Sequence, residues 1–68
     1  MILKTKLPQL RREHDITQSE LAEKVGVRRE TIARLEKGQY NPSLKLAYDI
    51  AQLFSVPIET VFQYVEED

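Results

Sequence analysis

The sequence contains no cysteine and no tryptophan, one histidine, two glycines and three prolines in 68 residues. Without cysteine, neither a disulfide framework nor a thiolate metal site can stabilise so small a domain, and one histidine is too few for a site built on imidazoles. We therefore expect no metal and no cofactor, and a fold that depends on helix packing or on a partner chain. The scattered glycines and prolines provide no linker, which predicts a single domain over residues 1–68.

Long hydrophobic runs are absent as well. The apolar residues Met1–Leu3 are followed at once by Lys4 and Lys6, so the chain begins without the h-region of a signal peptide, and no run approaches the ~18 residues of a membrane span. Apolar residues make up 41% of the chain and charged residues 31%, the balance of an ordinary soluble domain. We expect a complete cytoplasmic polypeptide that does not contact a membrane.

The net charge of −1 is too small to indicate a nucleic-acid coat. Its distribution along the chain is uneven, however. Residues 1–45 contain all ten basic residues against six acidic ones, whereas residues 46–68 contain five acidic residues and no basic one. The N-terminal part is therefore the part suited to an anionic partner, and the acidic C-terminal part would be kept away from it.

Two short helices are predicted in the middle of the chain. Thr17-Gln-Ser-Glu20 is a capping box, because the threonine hydroxyl can accept from the amide of Glu20 while the glutamate side chain reaches back to the amide of Thr17. Gly26 can take the positive φ of a turn, and Gly38 ends the helix that follows. Two helices joined by a turn of three to four residues form a helix-turn-helix unit, here at about residues 17–37.

Three further helices are predicted around this unit. One spans about Lys6–His14, a fourth begins after the capping residue Ser43, and a fifth begins at Pro57 and ends at Val61 or Phe62. Apolar residues at spacings of three and four make the fourth helix the expected core helix: Leu44, Ala47, Ile50, Ala51 and Phe54. Leu46 and Leu53, seven positions apart, form a second stripe that makes the apolar face wider than one neighbouring element would need.

The two ends of the chain are short and β-prone. Met1–Leu3 and Phe62–Val65 are partly alternating, and we predict that they pair as two antiparallel strands. The expected fold class is therefore all-α, with five helices and a small two-stranded antiparallel pairing of the chain termini.

The central and following segments resemble the Cro/CI-type helix-turn-helix family, also called the XRE family. The resemblance is carried by TQSELAEKVGVRRETIARLEKGQYNPSLKLAYDIAQLF and covers nearly the whole chain. It implies a five-helix DNA-binding domain, usually of a bacterial or phage transcriptional regulator that binds as a dimer, and the short length is most similar to stand-alone members. It also implies a structural ion pair between Arg11 and Glu36.

The outward face of the third helix carries the residues expected to read bases. With Ile32 and Leu35 turned inward, this face can enter a major groove. Arginine can bind guanine O6 and N7, glutamate can accept from cytosine N4, and a small apolar group can touch a thymine methyl, so we predict G·C pairs in each half-site. The predicted base-reading residues are Arg29, Glu30, Ala33 and Arg34.

A simpler interpretation exists for two of these residues. Glu30 and Arg34 are four positions apart and can pair with each other on a solvated helix face.

The resemblance implies a second set of residues that approach the sugar-phosphate backbone, where contacts fix register and carry little sequence information. With Thr31, which could instead touch a thymine methyl, the predicted backbone-contacting residues are Gln18, Arg28, Thr31, Lys37, Gln39, Tyr40 and Asn41. Gln18 would touch phosphate or an outer base. Arg28 departs from the family pattern, in which Ser or Thr commonly caps the recognition helix; arginine cannot cap in this way, so Arg28 would serve a phosphate or Glu30 would restore the electrostatics of the helix N-terminus.

The C-terminal part contains more apolar residues than a terminal helix of so small a domain needs. A twofold dimer would place two recognition helices ~34 Å apart and read a near-palindrome. The dimerisation segment is expected at about residues 53–65, with the interface formed by Leu53, Pro57, Ile58, Val61, Phe62 and Tyr64.

These observations predict a sequence-specific regulator of the repressor type that binds double-stranded DNA as a homodimer. The alternative is an antitoxin-like or adaptor module that binds a protein through its acidic, apolar C-terminal half. An enzyme is not expected, because the sequence has no Gly-rich phosphate loop and no nucleophile motif.

Overall fold

Five α-helices and two short β-strands make up residues 1–66, the part of the chain that the computed structural model describes. In chain order they are β1 (Ile2–Thr5), α1 (Leu7–Glu13), α2 (Gln18–Val25), α3 (Arg29–Glu36), α4 (Leu44–Leu53), α5 (Ile58–Val61) and β2 (Phe62–Val65). The predicted fold class, five helices with a small antiparallel pairing of the termini, is confirmed.

The two strands form an antiparallel sheet in which Ile2 lies opposite Val65 and Thr5 lies opposite Phe62. The first strand was expected at Met1–Leu3 but extends to Thr5. The reason is tertiary, because the Thr5 side chain connects the strand to its neighbours. Its Oγ1 donates to the carbonyl oxygen of Val61 at 2.8 Å and accepts from the backbone N–H of Leu7 at 3.1 Å.

The helix ends lie where the capping residues predict them. Thr17 Oγ1 accepts from the N–H of Glu20 at 3.0 Å, and a carboxylate oxygen of Glu20 accepts from the N–H of Thr17 at 2.9 Å. These bonds lower the pKa of the Glu20 carboxyl below its usual value, because they favour the ionised form. Ser43 caps α4 by accepting from the N–H of Leu46.

One hydrophobic core joins all five helices to the sheet. Its fully buried members are Leu7, Leu21, Ile32, Leu35, Ile50 and Val61. On α4 the expected stripe is wrong at one position, because Leu44 is 79% exposed, while Leu46 of the second stripe is buried. Leu44 is the first residue of α4, and the buried residues of this helix begin only at Leu46. The first residue of the helix therefore lies outside the core.

Two residues of the predicted dimer interface belong to this core. Val61 is 1% exposed and Phe62 is 7% exposed. The prediction that they form an intersubunit surface is wrong, because their side chains pack inside their own subunit where α5 passes into β2.

Among residues 1–66, no helix is long and apolar enough to cross a membrane. Over the same residues, no cluster of histidine, aspartate or glutamate side chains could hold a metal ion.

Candidate nucleic-acid interface

A tight turn sets the angle between α2 and α3. Gly26 ends α2 in the left-handed conformation, with φ of 74°, and the N–H of Val27 then donates to the carbonyl oxygen of Ala22 at 3.0 Å. This is the glycine C-cap that satisfies the last carbonyl groups of a helix. Ala22 is buried and small, which allows the two helices to approach closely while Ile32 and Leu35 fill the space between them and the core.

The side of α3 opposite its buried residues faces solvent. Arg29, Glu30 and Arg34 are exposed, and Ala33 is half-buried beside them. The four side chains predicted to read bases therefore share one accessible face. Within residues 1–66, Glu30 and Arg34 form no ion pair with each other, so the simpler interpretation of these two residues is not observed.

The N-terminus of α3 has no side-chain cap. Arg28 occupies the N-cap position with extended backbone angles, and its side chain makes no capping hydrogen bond. This confirms that arginine does not cap here. Glu30 is the acidic residue in the first turn, where a negative charge interacts favourably with the helix dipole.

Arg11 and Glu36 form the ion pair that the family resemblance implied. Arg11 Nε lies 2.7 Å from Glu36 Oε2, and Arg11 Nη2 lies 3.3 Å from Glu36 Oε1, which is a two-point contact between α1 and the end of α3. Arg11 Nη1 also donates to the carbonyl oxygen of Ile16. This pair holds the end of α3 against α1.

Gln18, the first residue of α2, contacts two side chains of α3 and is half-buried. Its Nε2 donates to Glu36 Oε1 at 2.9 Å, and its Oε1 accepts from Arg29 Nη1 at 3.2 Å. Sequence reasoning assigned Gln18 to a phosphate or an outer base of the DNA and missed both contacts. No local pattern could have found them, because the partners are 18 and 11 positions away.

The loop after α3 is held against the sheet. Gly38 has φ of 71°, and a Cβ at this position would lie 2.8 Å from the carbonyl oxygen of Leu3. Two positions further, Tyr40 is exposed, and the Tyr64 hydroxyl donates to Asn41 Oδ1 at 3.1 Å. The loop that is predicted to contact the sugar-phosphate backbone thus lies beside Leu3 of β1 and is hydrogen-bonded to Tyr64 of β2.

The remaining residues that are predicted to contact the sugar-phosphate backbone differ in exposure. Arg28, Lys37 and Gln39 are exposed, whereas Thr31 is half-buried. All except Gln18 lie on α3, at its ends or in the loop that follows.

The residues predicted for the dimer interface divide into two groups. Leu53 is 38% exposed and Tyr64 is 50% exposed, Pro57 is exposed, and Ile58 is half-buried. Val61 and Phe62 form the core group described above. The first four side chains supply apolar surface on α4, α5 and β2 that no other part of residues 1–66 covers fully.

Comparison with known proteins agrees with this geometry. A family model described as helix-turn-helix matches residues 9–61. An uncharacterised HTH-type transcriptional regulator of the archaeon Archaeoglobus fulgidus is 54% identical over 66 residues, covering 97% of this chain and 93% of that protein. The cryptic phage CTXphi transcriptional repressor RstR of Vibrio cholerae is 37% identical over 54 residues; the match covers 79% of this chain and about half, 49%, of that protein.

A solved structure shows the same architecture. The transcriptional regulator from Listeria innocua superposes with a TM-score of 0.79 at 27% identity, over 93% of this chain and 59% of that one. The chain belongs to the XRE-type family of helix-turn-helix transcriptional regulators.

Membership of this family confirms two predictions and widens a third. The family and the relatives are transcriptional regulators, so the chain is a DNA-binding regulator and not an enzyme. The resemblance implied a bacterial or phage source, whereas the relatives include archaeal proteins.

Proposed function

We propose that the protein represses transcription by binding a near-palindromic operator as a homodimer, with α3 in the major groove. The observation that carries this proposal is the division of α3 into two faces. Ile32 and Leu35 are fully buried, while Arg29, Glu30 and Arg34 project together into solvent. A short helix with this arrangement matches the docking geometry of a recognition helix.

The base-reading roles follow from the donor and acceptor groups of the exposed face. Arg29 and Arg34 each present a fork of N–H donors that fits guanine O6 and N7, and Glu30 accepts from cytosine N4. Ala33 touches a thymine methyl. Each half-site therefore contains G·C pairs at the positions that the two arginines reach.

The backbone-contacting roles belong to residues that surround this face. Lys37 lies at the C-terminal end of α3, and the exposed Gln39 and Tyr40 follow it. They bind phosphates together with Gln18, Arg28, Thr31 and Asn41. Because phosphates are alike at every base pair, these contacts supply affinity and register without selecting sequence.

Dimerisation uses the exposed members of the predicted interface, namely Leu53, Pro57, Ile58 and Tyr64. One subunit provides few phosphate contacts, whereas two subunits related by a twofold axis bind two half-sites one turn of DNA apart. We expect the described acidic residues of the C-terminal part, Asp49, Glu59 and Glu66, then to lie on the side away from the phosphates. Repression is favoured by the related phage protein, which is named as a transcriptional repressor.

The test is to select binding sites from random DNA and then compare Arg34→Ala with Lys37→Ala on the selected site. Arg34→Ala is expected to bind the selected site about 5- to 100-fold more weakly. At the G·C pair that Arg34 reads, the variant should also tolerate other bases. Lys37→Ala should weaken binding about equally for all sequences. The slope of log affinity against log salt concentration should fall by about one, because one phosphate contact is lost. Both are measured by fluorescence anisotropy over a series of salt concentrations.

Two results would contradict the proposal. If the wild-type protein enriches no sequence, sequence-specific binding is wrong. If Arg34→Ala binds the selected site with unchanged affinity and base preference, α3 does not read the operator through this residue.

A further inference from the structure

One cross-strand pair of the terminal sheet touches both ends of the loop segment 38–41. Leu3 of β1 and Tyr64 of β2 lie opposite each other in the antiparallel pairing. The carbonyl oxygen of Leu3 is so close to Gly38 that a Cβ there would lie 2.8 Å from it, and the Tyr64 hydroxyl donates to Asn41 Oδ1 at 3.1 Å. The sheet therefore contacts the first and the last residue of this segment.

The two halves of the loop are held in different ways. The backbone N–H groups of Gly38 and Gln39 donate to the carbonyl oxygens of Leu35 and Arg34 at 3.0 and 2.9 Å, which ties the first half to the end of α3. In the described part of the chain, no backbone hydrogen bond involves residues 40–42. The second half of the loop therefore depends on the side-chain bond from Tyr64.

The chemistry of the Asn41 amide determines which of its groups can bind DNA. An asparagine side chain accepts through its carbonyl oxygen and donates through its NH₂ group, whereas phosphate oxygens only accept. Asn41 can therefore bind a phosphate only through NH₂. Its Oδ1 then needs a donor, and the Tyr64 hydroxyl is that donor. Asn41 is exposed, so a phosphate can approach the amide.

We propose that Tyr64 is a positioning residue for the phosphate contact of Asn41. Its hydroxyl holds the Asn41 amide with the NH₂ group available to a phosphate, and the Leu3–Tyr64 pair keeps the loop in place for this contact. The inference rests on the DNA-binding function proposed above and deepens it. It makes affinity depend on a hydroxyl of the terminal sheet, 23 positions after Asn41, that itself need not touch DNA.

Preorganisation is the physical reason. Ordering a loose loop on the DNA reduces the favourable free energy of binding, and the bond to Tyr64 restricts the loop before DNA arrives. Phosphates are alike at every base pair, so the benefit is the same for all sequences. The amide is uncharged and displaces no counterion, so the benefit is also independent of salt concentration.

Tyr64→Phe tests this role, because it removes the hydroxyl and keeps the ring that belongs to the proposed dimer interface. We expect it to bind both the selected site and unrelated DNA about two- to tenfold more weakly. Base preference and the slope of log affinity against log salt concentration should equal those of wild type. In the Asn41→Ala background, Tyr64→Phe should have no further effect.

A modified operator tests the phosphate contact directly. Each phosphate of the selected site is replaced in turn by an uncharged methylphosphonate, and fluorescence anisotropy measures the affinity of every variant for each duplex. We expect one position at which neither Tyr64→Phe nor Asn41→Ala weakens binding any further, because the acceptor of the Asn41 amide has been altered there.

Tyr48→Phe is the matched control, because it deletes the same hydroxyl from a tyrosine that is 52% exposed on α4, outside the candidate interface. It should bind DNA as wild type does. Thermal melting and sedimentation check that each variant has the fold and the oligomeric state of wild type. In the absence of DNA, the NMR order parameter of the Asn41 side-chain NH₂ group is expected to fall in Tyr64→Phe and to stay unchanged in Tyr48→Phe.

The inference is overturned if Tyr64→Phe binds DNA as wild type does, if its effect adds fully to that of Asn41→Ala, or if it changes base preference. An unchanged Asn41 order parameter would also overturn it, since the loss of affinity would then come from another part of the molecule. In each of these cases, selection of an operator by the wild-type protein and the altered base preference of Arg34→Ala would still support the proposed function.

Discussion

Two glycines adopt the left-handed backbone conformation, but only one of them is restricted by a neighbour as well. A Cβ added to Gly26 would meet no atom within 4 Å, whereas a Cβ on Gly38 would lie 2.8 Å from the carbonyl oxygen of Leu3. Both positive φ values could be predicted from the position of glycine after a helix. The approach of Gly38 to β1 could not, because Leu3 is 35 positions away.

This difference predicts unequal costs for the same substitution. Gly26→Ala is expected to lower the free energy of unfolding by about 1–2 kcal/mol, which is the cost of a left-handed non-glycine residue. Gly38→Ala should cost ~1–3 kcal/mol more, because the backbone of β1 must move. Urea denaturation of the two variants measures both values, and equal costs would show that the contact with Leu3 does not constrain the loop.

At the scale of single helices, the N-termini of α2 and α3 differ in capping, because α2 has a capping box and α3 has no side-chain cap. The capping box of Thr17 and Glu20 was read directly from the sequence, since all its atoms lie within four residues. At α3 the sequence also indicated the missing cap, because arginine at position 28 has no side-chain oxygen. Local motifs of this kind are predictable because the residues that make them are neighbours in the chain.

The missing cap leads to a prediction about α3. Arg28→Ser is expected to raise the free energy of unfolding by about 1 kcal/mol, because serine can accept from the N–H groups of the first turn. The same change should weaken DNA binding for all sequences, because a phosphate contact is lost. Thermal melting and anisotropy measure the two effects.

Arg28→Ala is the control for this prediction, since it removes the same charge and supplies no cap. It should weaken DNA binding as much as Arg28→Ser without the gain in stability. If Arg28→Ser binds DNA as well as wild type, Arg28 does not serve a phosphate.

Some element boundaries and faces needed the tertiary structure. Periodicity identified α4 as the core helix and gave it a second stripe of Leu46 and Leu53, but it also placed Leu44 inside, where the side chain is exposed. An apolar stripe that is wide enough to pack against two neighbouring elements does not determine which part of the helix surface faces the core. Likewise, Thr5 joined β1 because of its bonds to Val61 and Leu7, which are not visible in local β-propensity.

At the scale of the whole molecule, the proposed dimer surface is the feature that most needs a test. Leu53 is 38% exposed within it, and Leu44 is an exposed leucine outside it on the same helix. Leu53→Glu would place a negative charge in an apolar interface, within a part of the chain that already carries acidic residues. We therefore expect a monomer that binds the operator at least about 100-fold more weakly. Leu44→Glu should remain a dimer.

Sedimentation at micromolar concentration, with circular dichroism as a check of folding, decides between these outcomes. A wild-type monomer would contradict the dimer proposal altogether. A Leu53→Glu protein that remains dimeric would show that the interface lies elsewhere on the surface.

The sequence by itself determined the class of fold, the helix-turn-helix unit and the surface expected to face DNA. These properties depend on caps, on turn glycines and on periodicity, all of which act over a few residues. It also carried the charge division, with every basic residue in positions 1–45.

Only the tertiary structure decided which apolar residues are free and which polar residues act together. Val61 and Phe62 look like Leu53 and Tyr64 in the sequence, yet the first two are buried and the last two are exposed. The same holds for the contacts that connect Gln18 to both ends of α3. The physical reason is that burial and long-range hydrogen bonding depend on how elements cross in space, and the spacing of residues along one element does not specify that crossing.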